Sequence, residues 1–147
     1  MSGDPQRLAE AAAAAMWAED RASAGLGMRL LRVGPGEAEM AMAVEPRMAN
    51  GHGICHGGFV FALADSTFAF ACNSFNRRAV AQSCAITYLR PARVGETLTA
   101  RAKRLAEEGR SGVYDVTVTD AEGRVVAAFR GQSRAIAGSL VPEGGSP

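Results

Sequence analysis

The chain has 147 residues, which predicts one domain, since domains run roughly 100–200 residues. Apolar residues make up 48% and charged residues 21%, the balance of a globular fold that buries on the order of 70% of its unfolded surface without metal or disulfide support. A net charge of +1 argues against broad binding to nucleic acid or an anionic membrane surface, and no apolar run approaches the ~20 residues of a membrane span. The alanine run 11–15 follows Asp4 and Glu10 with no basic n-region, so no secretory signal is expected. Three cysteines without a Cys-x-x-Cys pair predict reduced thiols in the cytoplasm.

Residues 5–23 are predicted as one helix. Pro5 suits its first turn, Asp4 its N-cap, and Leu8, Ala12, Ala15 and Met16 share a face. After Gly25 the period becomes two. Residues 26–33 and 38–44 read as strands joined at Gly34-Pro35-Gly36, with Ala38, Met40, Met42 and Val44 on one parity. A loop with a short helical turn fills 46–53. Residues 56–73 are apolar almost all round, and a helix without a polar face is a buried helix. Four strand-like runs follow at 80–89, 97–105, 113–119 and 124–135, punctuated by turns at Arg90-Pro91, Glu108-Gly109 and Ala121-Glu122-Gly123. The Gly-, Ser- and Pro-rich tail 138–147 is expected to fray. The order predicts an α+β domain. Its antiparallel sheet, built from consecutive hairpins on the C-terminal side, wraps around the long apolar helix.

Asn50-Gly51-His52-Gly53-Ile54-Cys55-His56-Gly57-Gly58, with Asp65 inside the apolar helix, is the candidate site. Asp65 has no polar face to occupy, and Asp is a poor helix-interior residue. It is a structural carboxylate bonded to a neighbouring strand, part of a wet stripe with Ser66, Cys72 and Asn73, or a functional acid. Gly57-Gly58 either permit a tight turn or let a ligand oxygen reach the helix N-terminal N–H groups, where the dipole favours developing negative charge. A thioester carbonyl oxygen is such a ligand. His52 and His56 stand four residues apart, but the glycines around them disfavour a regular helix and no third ligand is near, so no metal site is expected. Cys55 beside His56 lacks an orienting partner, Cys72 and Cys84 read as core, and the lack of G-x-S-x-G excludes the serine-hydrolase elbow.

The segment from Asn50 to Gly58, with Ala64-Asp65, Ala71-Cys72-Asn73-Ser74 and Ile86-Thr87-Tyr88-Leu89-Arg90-Pro91, resembles the PaaI-type acyl-CoA thioesterases of the hotdog superfamily. The likeness runs from about residue 25 to 137. It implies a hotdog fold, with 1–24 an N-terminal helix of the same domain, 25–137 the thioesterase domain and 138–147 a flexible tail. It also implies hydrolysis of acyl-CoA thioesters in aromatic catabolism, phenylacetyl-CoA derivatives being the suggested class. No cofactor is implied beyond the CoA of the substrate. On the matching positions, Asp65 is the catalytic carboxylate and Gly57 supplies the backbone N–H that polarises the carbonyl. Asn50 orients water or the nucleophile, and His56 has a structural or carbonyl-orienting role. A hydroxyl expected near the carboxylate falls to Ser83, with Gln82 competing. His52, Gly58 and Gln82 join the substrate-binding set. Arg90, Arg93 and Arg110, with Ser111 and Gly112, lie at turns, where they hold CoA phosphates or are ordinary solvated surface.

Asp65 lies eight residues beyond Gly57. At 1.5 Å per residue that is roughly 12 Å along one helix, whereas a nucleophile attacks from about 3–3.5 Å. One subunit cannot bring both groups to one thioester. Two antiparallel helices across a two-fold axis can, so the expected assembly is an obligate homodimer, paired again as a dimer of dimers (a homotetramer). Asp65 then acts as a nucleophile forming a mixed anhydride or as general base on water. Two other readings compete: a hotdog hydratase or dehydratase, and a non-catalytic acyl-CoA-binding or regulatory hotdog protein. A desolvated carboxylate argues against the second.

Overall fold

The computed structural model describes residues 4–142. Asp4 caps α1 (Pro5–Glu19) by accepting from the N–H groups of Gln6 and Arg7 at 3.0 and 3.4 Å. The single helix expected over 5–23 breaks at Asp20. That residue leaves helical backbone angles, and its carboxylate takes the Ser23 N–H at 2.9 Å to start a separate turn, α2 (Arg21–Gly25). Ser23 is buried there, its hydroxyl 2.8 Å from that of Ser66.

Gly27, at positive φ, turns the chain and delays β1 to Arg29–Gly34. Pro35-Gly36 then makes the hairpin to β2 (Glu37–Ala43), and a 3-10 turn at Pro46–Met48 is the expected short helical turn. The long helix α3 (Gly57–Cys72) precedes β3 (Ala79–Tyr88), β4 (Thr97–Glu108), β5 (Ser111–Thr119) and β6 (Val125–Ala135). All six strands form one antiparallel sheet in the order β1-β2-β4-β5-β6-β3. Consecutive hairpins hold from β4 to β6 but not between β3 and β4. α3 carries the chain across the sheet to its far edge, and residues 89–96 return it to β2. Backbone bonds pin that return: Leu89 N–H to Val126 O, Cys55 N–H to Ala92 O and Val44 N–H to Glu96 O, each 2.8 Å.

One face of α3 packs on the sheet. Val60, Leu63, Ala64, Phe68 and Ala71 share a core with Met40, Met42, Leu98, Val116 and Phe129. Thr67 is buried with them because its hydroxyl donates to Leu63 O at 2.7 Å. The opposite stripe is not closed as the all-round apolar pattern suggested. Phe59, Ala62, Asp65 and Ala69 are half-buried and Gly58 is exposed. β3 is open as well: ten residues at the sheet edge carry no charge and no proline, and Val80 and Tyr88 are each 48% exposed. Strand edges of this kind pair with another chain unless something blocks them.

Charge gathers on the outer sheet face, in pairs such as Arg101–Glu39 and Arg130–Asp115 at 3.0 and 2.7 Å. Exposed pairs contribute only about 0–1 kcal/mol each, so the core holds the fold. The tail is less free than its composition suggested. Asn76, at φ 60°, accepts from the N–H groups of Leu140 and Val141, both at 2.9 Å, and docks that segment. Residues 143–147 of the expected tail lie outside the described residues.

Phe68 seats directly on β6. A Cβ added to Gly131 would lie 2.8 Å from its ring, and the ring is held between Tyr114 and Phe129 at centroid distances of 5.7 and 5.8 Å. Gly131→Ala should therefore lower stability by about 1–3 kcal/mol through overpacking. A urea midpoint equal to that of the parent would show that the ring repacks freely.

Candidate active site

The loop before α3 is built by its own polar groups. Asn50 Oδ1 accepts from the N–H groups of His52 and Ile54 at 2.9 and 3.3 Å, and Asn50 N–H donates to Ile54 O at 2.8 Å. Gly53 takes the positive φ that this tight turn requires. The carbonyl oxygen of the Asn50 side chain is thus consumed by the loop. Its amide nitrogen has no partner among the described residues, and Asn50 lines a cleft of about 550 Å³.

His56 is the N-cap of α3. Its Nδ1 accepts the Gly58 N–H at 3.0 Å, and its own backbone N–H donates to Met48 O at 2.7 Å. An accepting Nδ1 places the ring proton on Nε2. Capping removes Gly58 as a donor and leaves the Gly57 N–H without a partner among the described residues. The free N–H heads a helix of 16 residues, where aligned peptide dipoles favour a negatively charged oxygen. Gly57 also opens onto the cleft, with Tyr88 above it. The Tyr88 hydroxyl donates to Gly57 O at 2.8 Å, and a Cβ on Gly57 would lie 2.9 Å from the phenol ring.

Asp65 sits apart from this cleft, on the open stripe of α3. Burial pushes its carboxylate above the usual range, and a hydrogen bond from the Cys84 thiol, Sγ to Oδ1 3.9 Å, partly opposes that. A single thiol is a weak partner for a structural carboxylate. The proposed wet stripe is shorter than expected: Ser66 is half-buried beside Asp65, but Cys72 and Asn73 are 7% and 5% exposed. Cys84, expected in the core, packs against it half-buried, with its thiol toward the carboxylate.

The remaining candidates divide by position. Ser83 is exposed and pairs with exposed Gln132, on the sheet face away from α3, while Gln82 occupies the bulge between Ala81 and Ser83. Neither meets Asp65; Cys84 takes that place. Arg90 lines the cleft beside Gly57. Arg93 is exposed, its backbone N–H donating to Glu96 at 2.6 Å. Arg110 borders a second cavity of about 290 Å³ with Arg77, Cys72, Tyr114 and Ser133. Ser111 next to it is exposed, and Gly112 is buried where a Cβ would meet Ser133 Oγ at 2.8 Å. His52 is exposed on the loop. A groove of about 610 Å³ between α1 and β1 contains none of these residues. Sequence reasoning missed Tyr88 and Cys84 as site residues. Their shared parity on β3 was the available signal, but nothing local told which face of the strand meets α3.

An unpaired N–H at a helix start, an amide donor beside it and a desolvated carboxylate on the same helix form a constellation suited to acyl transfer. Residues 52–127 match the family described as the thioesterase superfamily. The chain belongs to that superfamily. It is 42% identical over 129 residues to the acyl-coenzyme A thioesterase PaaI of Escherichia coli, covering 88% of this chain and 92% of that protein. The solved structure of the E. coli PaaI protein, from the phenylacetic acid degradation operon, superimposes with a TM-score of 0.91 at 40% identity, over 92% of this chain and 99% of that one. A substituted form of the phenylacetic acid degradation protein PaaI from Thermus thermophilus matches with a TM-score of 0.77 at 40% identity, over 80% and 100% of the respective chains. The fold is the hotdog fold, and the protein is a thioester hydrolase. The likeness to a relative named as an acyl-coenzyme A thioesterase supports hydrolysis over the two competing readings.

The raised Asp65 pKa has a direct consequence for a thioesterase that uses the ionised carboxylate. Activity is lost as pH falls through the folded-state pKa, and burial places that value above the ordinary 3.8. The acid limb of kcat/KM should therefore lie clearly above the usual carboxylate range. A limb at the ordinary value would mean that the carboxylate is fully hydrated when it acts.

Proposed function

We propose that the protein hydrolyses acyl-CoA thioesters to free acid and CoA, with aryl-acyl groups such as (hydroxy)phenylacetyl as substrates in phenylacetate or aromatic catabolism. The names of its relatives in E. coli and T. thermophilus support that class. The observation that carries the reading is the division of α3, whose free Gly57 N–H and half-buried Asp65 stand eight residues apart. Both are needed at one carbonyl, so each site takes Asp65 from one protomer and the Gly57 N–H of the partner subunit. The open stripe of α3 and the uncharged edge of β3 are the surfaces such a homodimer would cover. A dimer of dimers would repeat this unit.

In such a site the thioester oxygen receives the helix N-terminal N–H and the carbonyl carbon faces Asp65. The carboxylate either attacks that carbon, expelling CoA thiolate and leaving an anhydride for water to cleave, or removes a proton from attacking water. The side-chain amide of Asn50 is placed to orient the water or the carbonyl. His56 acts indirectly, by capping Gly58 and leaving Gly57 as the free donor. Arg90 at the cleft and Arg110 with Arg77 at the second cavity supply positive charge for the CoA phosphates. The free cysteines suit a reducing cytoplasm.

CoA release followed with a thiol reagent across aryl- and straight-chain acyl-CoAs tests the substrate class, which predicts the highest kcat/KM on the aryl series. Asp65→Asn should lower turnover by about 10²-fold or more. Gly57→Val should also inactivate, because its branched side chain displaces Tyr88 and fills the approach to the N–H. A purified heterodimer of these two chains has one doubly defective site and one intact site. It should recover about half the parental activity; a heterodimer as inactive as both parents would mean that each chain builds its own site. Arg90→Ala and Arg110→Ala should raise KM with little change in kcat, as loss of uniform binding requires. An unchanged KM would remove them from the CoA site.

A further inference from the structure

Among the described residues the Asp65 carboxylate makes one side-chain hydrogen bond, and its donor is the Cys84 thiol at 3.9 Å. Cys84 lies on the α3 side of β3, paired with Gly131 of β6. The missing Cβ of Gly131 is what admits the Phe68 ring. One turn of α3 is therefore seated on the Cys84–Gly131 pair, its ring over the glycine and its carboxylate against the thiol.

The neighbourhood leaves Cys84 as the group able to steer the carboxylate. Burial, then the adjacent Asp65, pushes the Cys84 thiol up, so it stays protonated and keeps its donor. Cys72, on the same helix as Asp65, is pushed up to about 12, and its thiol donates to Ala69 O at 3.6 Å. Tyr114 of β5 lies beyond Cys72 and is also raised by burial. Asp20, the N-cap of α2, is turned onto Ser23. Glu39 and Arg101 of β2 and β4, like Asp115 and Arg130 of β5 and β6, pair with each other.

We propose that Cys84 is a positioning residue for the hydrolysis: its S–H donates to one oxygen of Asp65, fixes the rotation of the carboxylate and leaves the second oxygen for water or the thioester carbon. Without a partner, the terminal torsion of an aspartate is broad. A thiol suits the task because it is a weaker donor than a hydroxyl. It holds the carboxylate while withdrawing little of the basicity or nucleophilicity that catalysis draws on. The inference rests on Asp65 being the catalytic carboxylate.

The test compares pH profiles of kcat/KM for the parent, Cys84→Ala, Cys84→Val and Cys84→Ser, each checked for folding by thermal melting. Alanine and valine lack the donor at different volumes, so a folded protein of either kind suffices. Their acid limb should rise by roughly half a pH unit or more, with kcat reduced about threefold or more. Cys84→Ser should hold the limb at or below the parental position. Donorless profiles that superimpose on the parent would overturn the proposal, as would a serine variant indistinguishable from alanine. Asp65→Asn is assayed alongside. If it keeps parental turnover, the assignment of Asp65 fails and Cys84 falls with it. If it is inactive while the donorless variants match the parent, only the role of Cys84 is lost.

Discussion

An α-helix rises by a fixed amount per residue, and that geometry governs everything else in this molecule. The donor at the start of α3 and the carboxylate in its middle are held by one rigid element at a separation that no side-chain rotamer closes. The sheet does not relieve the constraint; it enforces it. By packing Val60, Leu63, Ala64 and Phe68 into the core, it prevents the helix from bending to bring its first N–H and its carboxylate together. The open stripe and the uncharged edge follow from the same geometry, as surfaces on which a second helix and a second strand can be laid.

The polar groups around the site are economical in a chemical sense. Asn50 Oδ1, the Gly58 N–H and the Gly57 carbonyl are each taken by a neighbour within the chain. Among the described residues, the Gly57 N–H and the Asn50 amide nitrogen remain unpaired, two donors beside one cleft. Preorganised donors need no reorganisation when charge develops on a carbonyl oxygen, which is where catalysts of acyl transfer gain most. The carboxylate has the opposite environment, with burial against it and one thiol in its favour. Donor and carboxylate are therefore tuned separately, one by the loop and cap, the other by the helix stripe and β3.

Most of the fold was legible in the sequence because it is written in period. Alternation at Ala38, Met40, Met42 and Val44, the unbroken apolar run of α3 and the glycine turns give elements within a few residues of their observed bounds. The break at Asp20 was hidden because a capping side chain costs one residue and leaves the apolar pattern intact. The place of β3 was not legible either, since no local signal says which edge a strand will join after a helical crossover. At the site, Asp65 and Gly57 stood out by chemical incongruity: a charge without a polar face, and glycines at a helix start. Ser83 was chosen for the hydroxyl that the resemblance implied, not for its place on the strand. The bulge at Gln82 sets Ser83 on the outer face and Cys84 on the helix face. Tyr88 and Cys84 look like ordinary strand residues until the strand lies beside α3.

The edge of β3 also shapes the life of the chain before it is an enzyme. Ten uncharged residues, interrupted by the bulge at Gln82, present a row of backbone donors and acceptors that an extended polypeptide can satisfy. If the chain forms the homodimer proposed above, a newly folded protomer is in a race. Pairing with its own kind is second order in concentration, while capture by misfolded or nascent chains depends on whatever else is present. In that proposed dimer the interval between folding and pairing shortens as expression rises, which leaves the edge bare longest when the chain is scarce. The property lies outside the chemistry of the site, in the bare rim of the sheet that the site borders.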